Sequence, residues 1–305
     1  MPEHLGCRTT GLDKMGSGGR TPPPLRDVQM GMKHLGLALL AVLPLWGQDS
    51  LEPTPLQIVR RSVERDWTDF ESRKDYTYQE RYLLREYAKD GRTSIERSET
   101  HEILILGDWP YERLIARDDE PLSDKDTLRE RQKLDRESAA RQHESAAQRA
   151  RREKERDEER RFIRELPEAF TFRLTGVEDV SNVPAWVIEA EPKPGYRPAE
   201  PQARIFTKVR GKVWIEQKTY HWVKLDADAI DTLTFGLGLL RVAPGGTLHF
   251  EQVRVNDEIW LPSYTLVRAN ARLALVKKLR AEIDIRYSGY RKFQADSKIV
   301  QAAEQ

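Results

Sequence analysis

Histidines and carboxylates are the first residues to weigh, because they carry acid–base and metal chemistry. Four of the six histidines, His101, His143, His221 and His249, lie beyond residue 100, and none has a second His or a Cys at the short spacing of a metal site. A metal centre would have to be assembled across strands from His221 and His249; the competing reading makes both of them solvent-facing strand histidines. Nucleophile and phosphate motifs are missing as well: there is no Gly-x-Ser-x-Gly elbow, no Gly-x-Gly-x-x-Gly after a strand, no Gly-x-x-x-x-Gly-Lys-Ser/Thr loop and no His-Glu-x-x-His. Asp118-Asp119-Glu120 is an acidic cluster, but its place at the head of a charged segment reads as a turn followed by helix-start charge. The expectation is a protein that is not an enzyme, with no cofactor and no metal.

Eight basic residues, Arg268, Arg272, Lys277, Lys278, Arg280, Arg286, Arg291 and Lys292, crowd one region with only Glu282 and Asp284 to offset them. Such a strip could meet phosphate, and in an exported protein lipid headgroups are the nearer source than nucleic acid. The plainer reading is a solvated row that protects a sheet edge. The whole chain has 51 Lys+Arg against 50 Asp+Glu, so no global field favours nucleic acid or an anionic membrane.

The 305 residues allow one large or two ordinary domains. Charged residues reach 33% where ~25% is usual, and the excess sits in one segment. About 30 of the 49 residues from Arg117 to Glu165 are charged, evenly split in sign. Helix-favouring Ala, Arg, Glu and Gln dominate it, with opposite charges one turn apart, as in Glu137 and Arg141. It reads as one long helix whose sparse apolar residues leave it projecting into solvent or lying loosely across the body. It is a lid or partner-binding arm in one reading, a solvated insertion in the other.

Near the start, Met32-Lys33-His34 precedes an apolar run from Leu35 to Trp46, the layout of a secretory signal peptide. The run falls short of the ~20 residues that cross a bilayer. Residues 1–31 read as a misassigned start or a disordered extension, 32–47 as the signal peptide and 48–305 as a single domain. The single cysteine, Cys7, precedes the signal, so the exported chain would have no disulfide, thiol nucleophile or lipid-acceptor cysteine. Localisation is expected to be periplasmic or secreted.

The elements that would position a site come next. After Pro53 and Pro55, apolar residues at Leu56, Ile58, Val59, Val63, Trp67 and Phe70 predict an amphipathic helix. From Tyr76 the period is two, with Lys89-Asp90-Gly91 as a hairpin turn, then strands over 94–106 and 111–117. Strands resume after Pro167. Leu233 to Val242 is a continuous apolar stretch that reads as a short buried helix or a plugging loop. Between Thr265 and Tyr287 the odd positions are apolar and the even ones charged, with a turn placed at Lys277 and the preceding turn at Asn256-Asp257.

About ten hairpin-connected strands make a sheet that tends to curl, and its apolar face must be covered by helices or a ligand. The order helix, meander, helix, meander, with Gly211-Lys212-Val213-Trp214-Ile215-Glu216, Asn256-Asp257-Glu258-Ile259-Trp260-Leu261-Pro262 and Tyr287-Ser288-Gly289-Tyr290-Arg291-Lys292-Phe293, resembles the LolA-like group of outer-membrane lipoprotein-sorting proteins. The resemblance implies an α+β, mainly antiparallel fold: a curled incomplete β-barrel covered by helices, here with a charged helical insertion over 123–166. It also implies an apolar cavity for an acyl chain, lipid or lipoprotein; the chain is expected to be a monomer, open to peripheral membrane contact. The apolar alternates expected to face the cavity are Tyr78, Tyr82, Leu273, Leu275, Leu279, Ile283 and Ile285, with core packing as their rival role. The alternative function is a structural or interaction protein of the cell envelope acting through 123–166; an unrecognised hydrolase is a third class.

Overall fold

The computed structural model describes residues 52–107, 109–235, 239–273 and 277–292, all within the unit Leu51–Gln305. The proposed signal segment, Cys7, Leu275 and Phe293 lie outside the described residues. The chain opens with helix α1 (Pro55–Arg73), then strands β1 (Tyr76–Tyr87), β2 (Thr93–Leu106), β3 (Trp109–Arg117) and β4 (Glu120–Pro121). Helices α2 (Asp124–Gln142), α3 (Ala146–Arg161) and the short α4 (Leu166–Ala169) follow. The second meander comprises β5 (Phe170–Val180), β6 (Val183–Pro192), β7 (Val209–Glu216), β8 (Trp222–Ala229), β9 (Leu233–Phe235), β10 (Leu240–Val242), β11 (Thr247–Val255), β12 (Ile259–Leu273) and β13 (Lys277–Lys292).

These strands form one antiparallel sheet in the order β4-β3-β2-β1-β13-β12-β11-β8-β7-β6-β5, with β10 beside β12 and β9 beside β10. The first and last long strands pair, so the two meanders join into one sheet, and the edge strands β4 and β5 stay unpaired with each other. The barrel is therefore incomplete. Tight turns hold the register: Asn256 and Asp257 take φ of 52° and 56°, the left-handed pair of a two-residue hairpin that Asn and Asp tolerate. At Gly211 a Cβ would lie 2.7 Å from the Asp226 carbonyl oxygen, so only glycine lets β7 approach β8 this closely.

Alternation gives the sheet two unlike faces. One apolar row runs strand to strand through Tyr82, Ile285, Thr265, Phe250, Leu225, Val213, Ile188 and Leu174. The next row repeats the pattern from Leu84 and Ile283 through Val267 and Leu248 to Phe172. On the reverse face β1 and β13 carry ion pairs: Arg85 holds Glu96 at 2.7 Å and Glu282 at 3.1 Å, and Arg268 holds Glu282 at 2.7 Å. Helix α1 lies on the apolar face, with Ile58 and Val59 buried against Ile188 and Ile215. Because α1 touches β5, β7 and β12 together, the sheet curls around it and the apolar face is the concave one.

Three expectations change. The charged segment is two helices rather than one, broken after His143, where Ser145 caps α3: its hydroxyl accepts from the Gln148 amide and Gln148 Oε1 accepts from the Ser145 amide at 2.9 Å. That local pairing competes with continuing the helix. The apolar stretch 233–242 is neither helix nor plug: β9 and β10 pair, and β10 extends the sheet along β12 with Leu240 opposite Leu273. Lys277 is not the turn but the first residue of β13, opposite Leu273.

Ile188 is fully buried beneath α1, where removing its branched side chain leaves a cavity the sheet cannot close. Ile188→Ala is expected to destabilise the fold by about 2–5 kcal/mol in urea unfolding. A loss below about 1 kcal/mol, the scale of a surface change, would contradict this packing.

Candidate functional site

Tyr78, Tyr82, Leu279, Ile283 and Ile285 all fall on the concave face, joined across β1 and β13 by Tyr82 opposite Ile285 and Leu84 opposite Ile283. All five are half-buried, whereas Ile188 and Ile215 in the same face under α1 are sealed. Leu273 stands opposite Lys277 at the end of β12, and Leu275 lies outside the described residues. Which period-two face is concave was open in the sequence; α1 decides it, since only a packed helix distinguishes the two sides.

Tyrosines line the inner end of this face. The Tyr78 ring lies 6.1 Å from Tyr287 and 5.1 Å from Tyr290, centre to centre. Burial pushes the Tyr78 and Tyr290 hydroxyls well above the usual phenol range, so both stay protonated donors. Glu80 shares the face, and burial followed by the nearby Glu112 raises its carboxyl pKa. A polar niche of about 240 Å³ lies close by, between α2 and β2–β3, lined by His101, Glu112, Leu114, Glu130 and Lys133 among others. The concavity thus has an apolar outer stretch and a tyrosine and carboxyl inner end. Tyr287 and Tyr290 were legible only as part of the closing strand pattern, and Glu80 carried no signal at all.

The charged insertion is fastened to the body instead of projecting or lying loosely. Arg152, Arg156, Arg160 and Arg164 are spaced by four, so on a helix they share one stripe. Arg160 sits 3.4 Å from the Phe70 ring centre and Arg164 3.8 Å from that of Trp67. Arg156 lies 5.2 Å from Phe70 and 5.4 Å from Trp109, and Arg152 lies 5.3 Å from Trp109. Each such stack contributes about 0.5–2 kcal/mol, more as it is desolvated. Beneath them Asp66, 4% exposed, accepts from Arg73 at 2.5 Å, Arg160 at 2.7 Å and Trp222 Nε1 at 3.1 Å. Burial lowers the Arg160 pKa while Asp66 opposes that shift. Helix α2 packs along β3, and Arg141 near its C-terminus donates to the Leu106 carbonyl at the end of β2 at 3.3 Å. Counting only apolar residues hid this docking, because guanidinium groups and arginine stems do the packing.

His221, just before β8, and His249, on β11, have separate surroundings. His221 is 5% exposed, not solvent-facing: Nε2 lies against Asp69 and 3.2 Å from Arg65 Nε, and Nδ1 is 2.5 Å from Thr219 Oγ1. Thr219 in turn meets buried Glu216, which accepts from Trp260 Nε1 at 3.2 Å. His249 is held instead between Asp226 at 2.5 Å and Glu251 at 3.0 Å. Among the described residues no group of three or more His, Cys, Asp or Glu side chains could hold a metal ion. The His221 cluster ties α1 to the β7–β8 turn. The acidic cluster is a turn: Asp118 and Asp119 take φ of 49° and 63°, and bidentate Arg81 holds the Asp119 carboxyl below its usual range.

No family model matches the chain, and no curated protein does. Solved structures do. A DUF1329 family protein from Desulfovibrio piger is 13% identical over 80% of this chain and 95% of its own, with a TM-score of 0.30. A domain assigned to outer membrane lipoprotein sorting from Vibrio parahaemolyticus is 11% identical over 79% and 95%, with a TM-score of 0.31. A LolA superfamily protein from Nitrosomonas europaea is 10% identical over 79% and 94%, with a TM-score of 0.28.

Burial, ahead of the opposing pull of Asp69, lowers the His221 pKa, so the folded protein holds this ring neutral while the unfolded chain still titrates near 6.5. Stability should therefore fall as pH drops below about 6.5, by at most about 1.4 kcal/mol per pH unit, and level off below the folded-state value. Urea unfolding between pH 7.5 and 5.5 reads this, and His221→Gln should flatten the slope there. An identical slope in the variant would contradict the assignment.

Proposed function

We propose that the chain is an exported binding module that holds a lipid tail, or a lipid-modified chain, against its concave face. The observation that carries this reading lies along one apolar row: α1 seals it at Ile188, whereas Val213, Leu225, Phe250, Ile285 and Tyr82 stay half-buried. Half-buried apolar rows on a curled sheet suit a flexible tail, which gains from area rather than from directed hydrogen bonds. Tyr82, Leu279, Ile283 and Ile285 would touch the tail, with Leu273 at the end of β12 the next position on this face. Tyr78 and Glu80 at the inner end would meet a polar headgroup or the first atoms beyond it. The protein is a carrier in this reading, not an enzyme, and the charged helices are a fixed cover rather than a partner-binding arm, because Arg152, Arg156, Arg160 and Arg164 hold them to Trp67, Phe70 and Trp109.

Export through the Leu35–Trp46 segment would place it in the periplasm or outside the cell, where lipids and lipoproteins need escorts across water. No helix among the described residues is long and apolar enough to cross a membrane.

Titration of delipidated protein with an environment-sensitive fluorescent fatty acid should give saturable binding. Each methylene lost from apolar contact costs about 0.8 kcal/mol, so Ile283→Asn with Ile285→Asn should weaken affinity at least about tenfold while thermal unfolding confirms the fold. Absent binding, or binding indifferent to these substitutions, would sink the reading.

A further inference from the structure

Glu80 is a half-buried carboxyl group without a partner. On β1 it lies between Tyr78 and Tyr82, two residues from each and so on the same face, and across the ladders it stands opposite Tyr287 on β13 and His101 on β2. It makes no hydrogen bond or ion pair with a described residue. Glu112 on β3, near enough to raise the Glu80 pKa further, makes none either. The cations that could match these acids are held elsewhere: Arg73 by Asp66 at 2.5 Å, Arg81 by Asp119 at 2.6 Å, Arg117 by Glu99 at 3.4 Å and Lys133 by Glu130 at 2.5 Å. His101 leans toward Glu99, with Nε2 at 3.8 Å. An unmatched carboxylate costs stability as it leaves water, and no packing contact of the fold calls for one here.

Tyrosine rings wall the same place. Tyr78 lies 5.1 Å from Tyr290 and 6.1 Å from Tyr287, centre to centre, and the rings are tilted by 37° and 50° instead of stacked. The charge of Glu80 reaches all three hydroxyls and helps to raise their pKa values, after burial. The Tyr290 hydroxyl donates to the Pro262 carbonyl, whereas that of Tyr78 has no hydrogen-bond partner among the described residues. Beside Glu112 and His101 lies the niche of about 240 Å³, which leaves room next to the two acids.

Aromatic faces are negative at their centres, so tyrosines gathered around unmatched carboxyl groups suit a compact organic cation. We propose that this end of the concave face receives the ammonium group of a lipid headgroup, with Glu80 and Glu112 opposite its charge and Tyr78, Tyr287 and Tyr290 against the carbons attached to its nitrogen. A metal ion fits less well, because two carboxyl groups among aromatic rings fall short of the roughly six to eight oxygens that calcium takes. A headgroup that ends in an anion would meet two acids and none of the four cations named above unpaired. The inference rests on the reading that the concave face holds a lipid tail, and it names the headgroup. With the tail over Ile283, Ile285 and Tyr82, Glu80 is the next position on the same face of β1.

Calorimetric titration of the delipidated full chain with lysophosphatidylethanolamine, lysophosphatidylcholine and lysophosphatidylglycerol of one acyl chain, each below its micelle concentration, tests this. Both ammonium lipids should bind at least about tenfold more tightly than the glycerol lipid. Glu80→Gln should narrow that preference to within about threefold. Tyr78→Leu, which keeps apolar bulk but loses the ring, should narrow it most for the choline lipid. Thermal unfolding checks the fold of each variant, and Glu80→Gln should leave Tm unchanged or raise it, since an unmatched carboxyl is removed. If the leucine variant does not fold, Glu80→Gln alone decides. Equal affinity for the three lipids, or a preference that a folded variant leaves intact, would overturn the ammonium site while tail binding stands. Failure of all three to bind would overturn the tail reading and this inference with it. Choline chloride that displaces the choline lipid at comparable concentration would overturn the lipid source, since the site would then take a free ammonium solute.

Discussion

An apolar sheet face too wide for the helix that lies on it is the constraint from which the rest of this structure follows. A helix is about 10 Å across and neighbouring strands are about 4.8 Å apart, so one helix shields two or three strands. The apolar row from Leu174 to Tyr82 crosses eight. Curling brings β12 round to the same helix that covers β5 and β7, and this shortens the gap without closing it. The reverse face carries the Arg85, Glu282 and Arg268 ladder over β1 and β13, while over β6 and β7 it bears the buried Val187 and Trp214. Part of what stays half-covered, over β1 and β13, is the surface proposed to hold a ligand.

The insertion answers the same constraint by unusual means. Helix α3 has almost no apolar side chains, yet it is held by a stripe of arginines stacked on aromatics from α1 and β3. Asp66 makes that possible, because a carboxylate buried to 4% exposure is tolerable only with partners, and Arg73, Arg160 and Trp222 supply them. A cation that is both paired and stacked loses little by leaving water. The helical cover is therefore built on electrostatics, while the sheet beneath it is built on apolar burial.

Much of this architecture was legible. The strict alternation from Thr265 to Tyr287, the three-and-four spacing from Leu56 to Phe70 and the Asn256-Asp257 turn each match an element of the structure, because local periodicity is imposed directly by helix and strand geometry. Curvature was not, since period two separates faces without saying which is concave. Between Arg117 and Glu165, counting apolar residues overlooked an arginine every fourth position from Arg152 to Arg164, stacked on Trp67, Phe70 and Trp109. The break in that segment had a visible signal in Ser145 and Gln148, three apart, which charge density outweighed. His221 looked like a surface histidine because the partners that bury it, Asp69 and Arg65, are about 150 residues away.

The central claim is that the half-covered concave face holds a lipid tail. The most direct measurement is native mass spectrometry, with organic extraction, of protein recovered without detergent from an exported fraction. The account predicts a stoichiometric acyl species that leaves on denaturation and returns when the stripped protein is incubated with membrane lipid. A bare polypeptide mass, unchanged after that incubation, would contradict it.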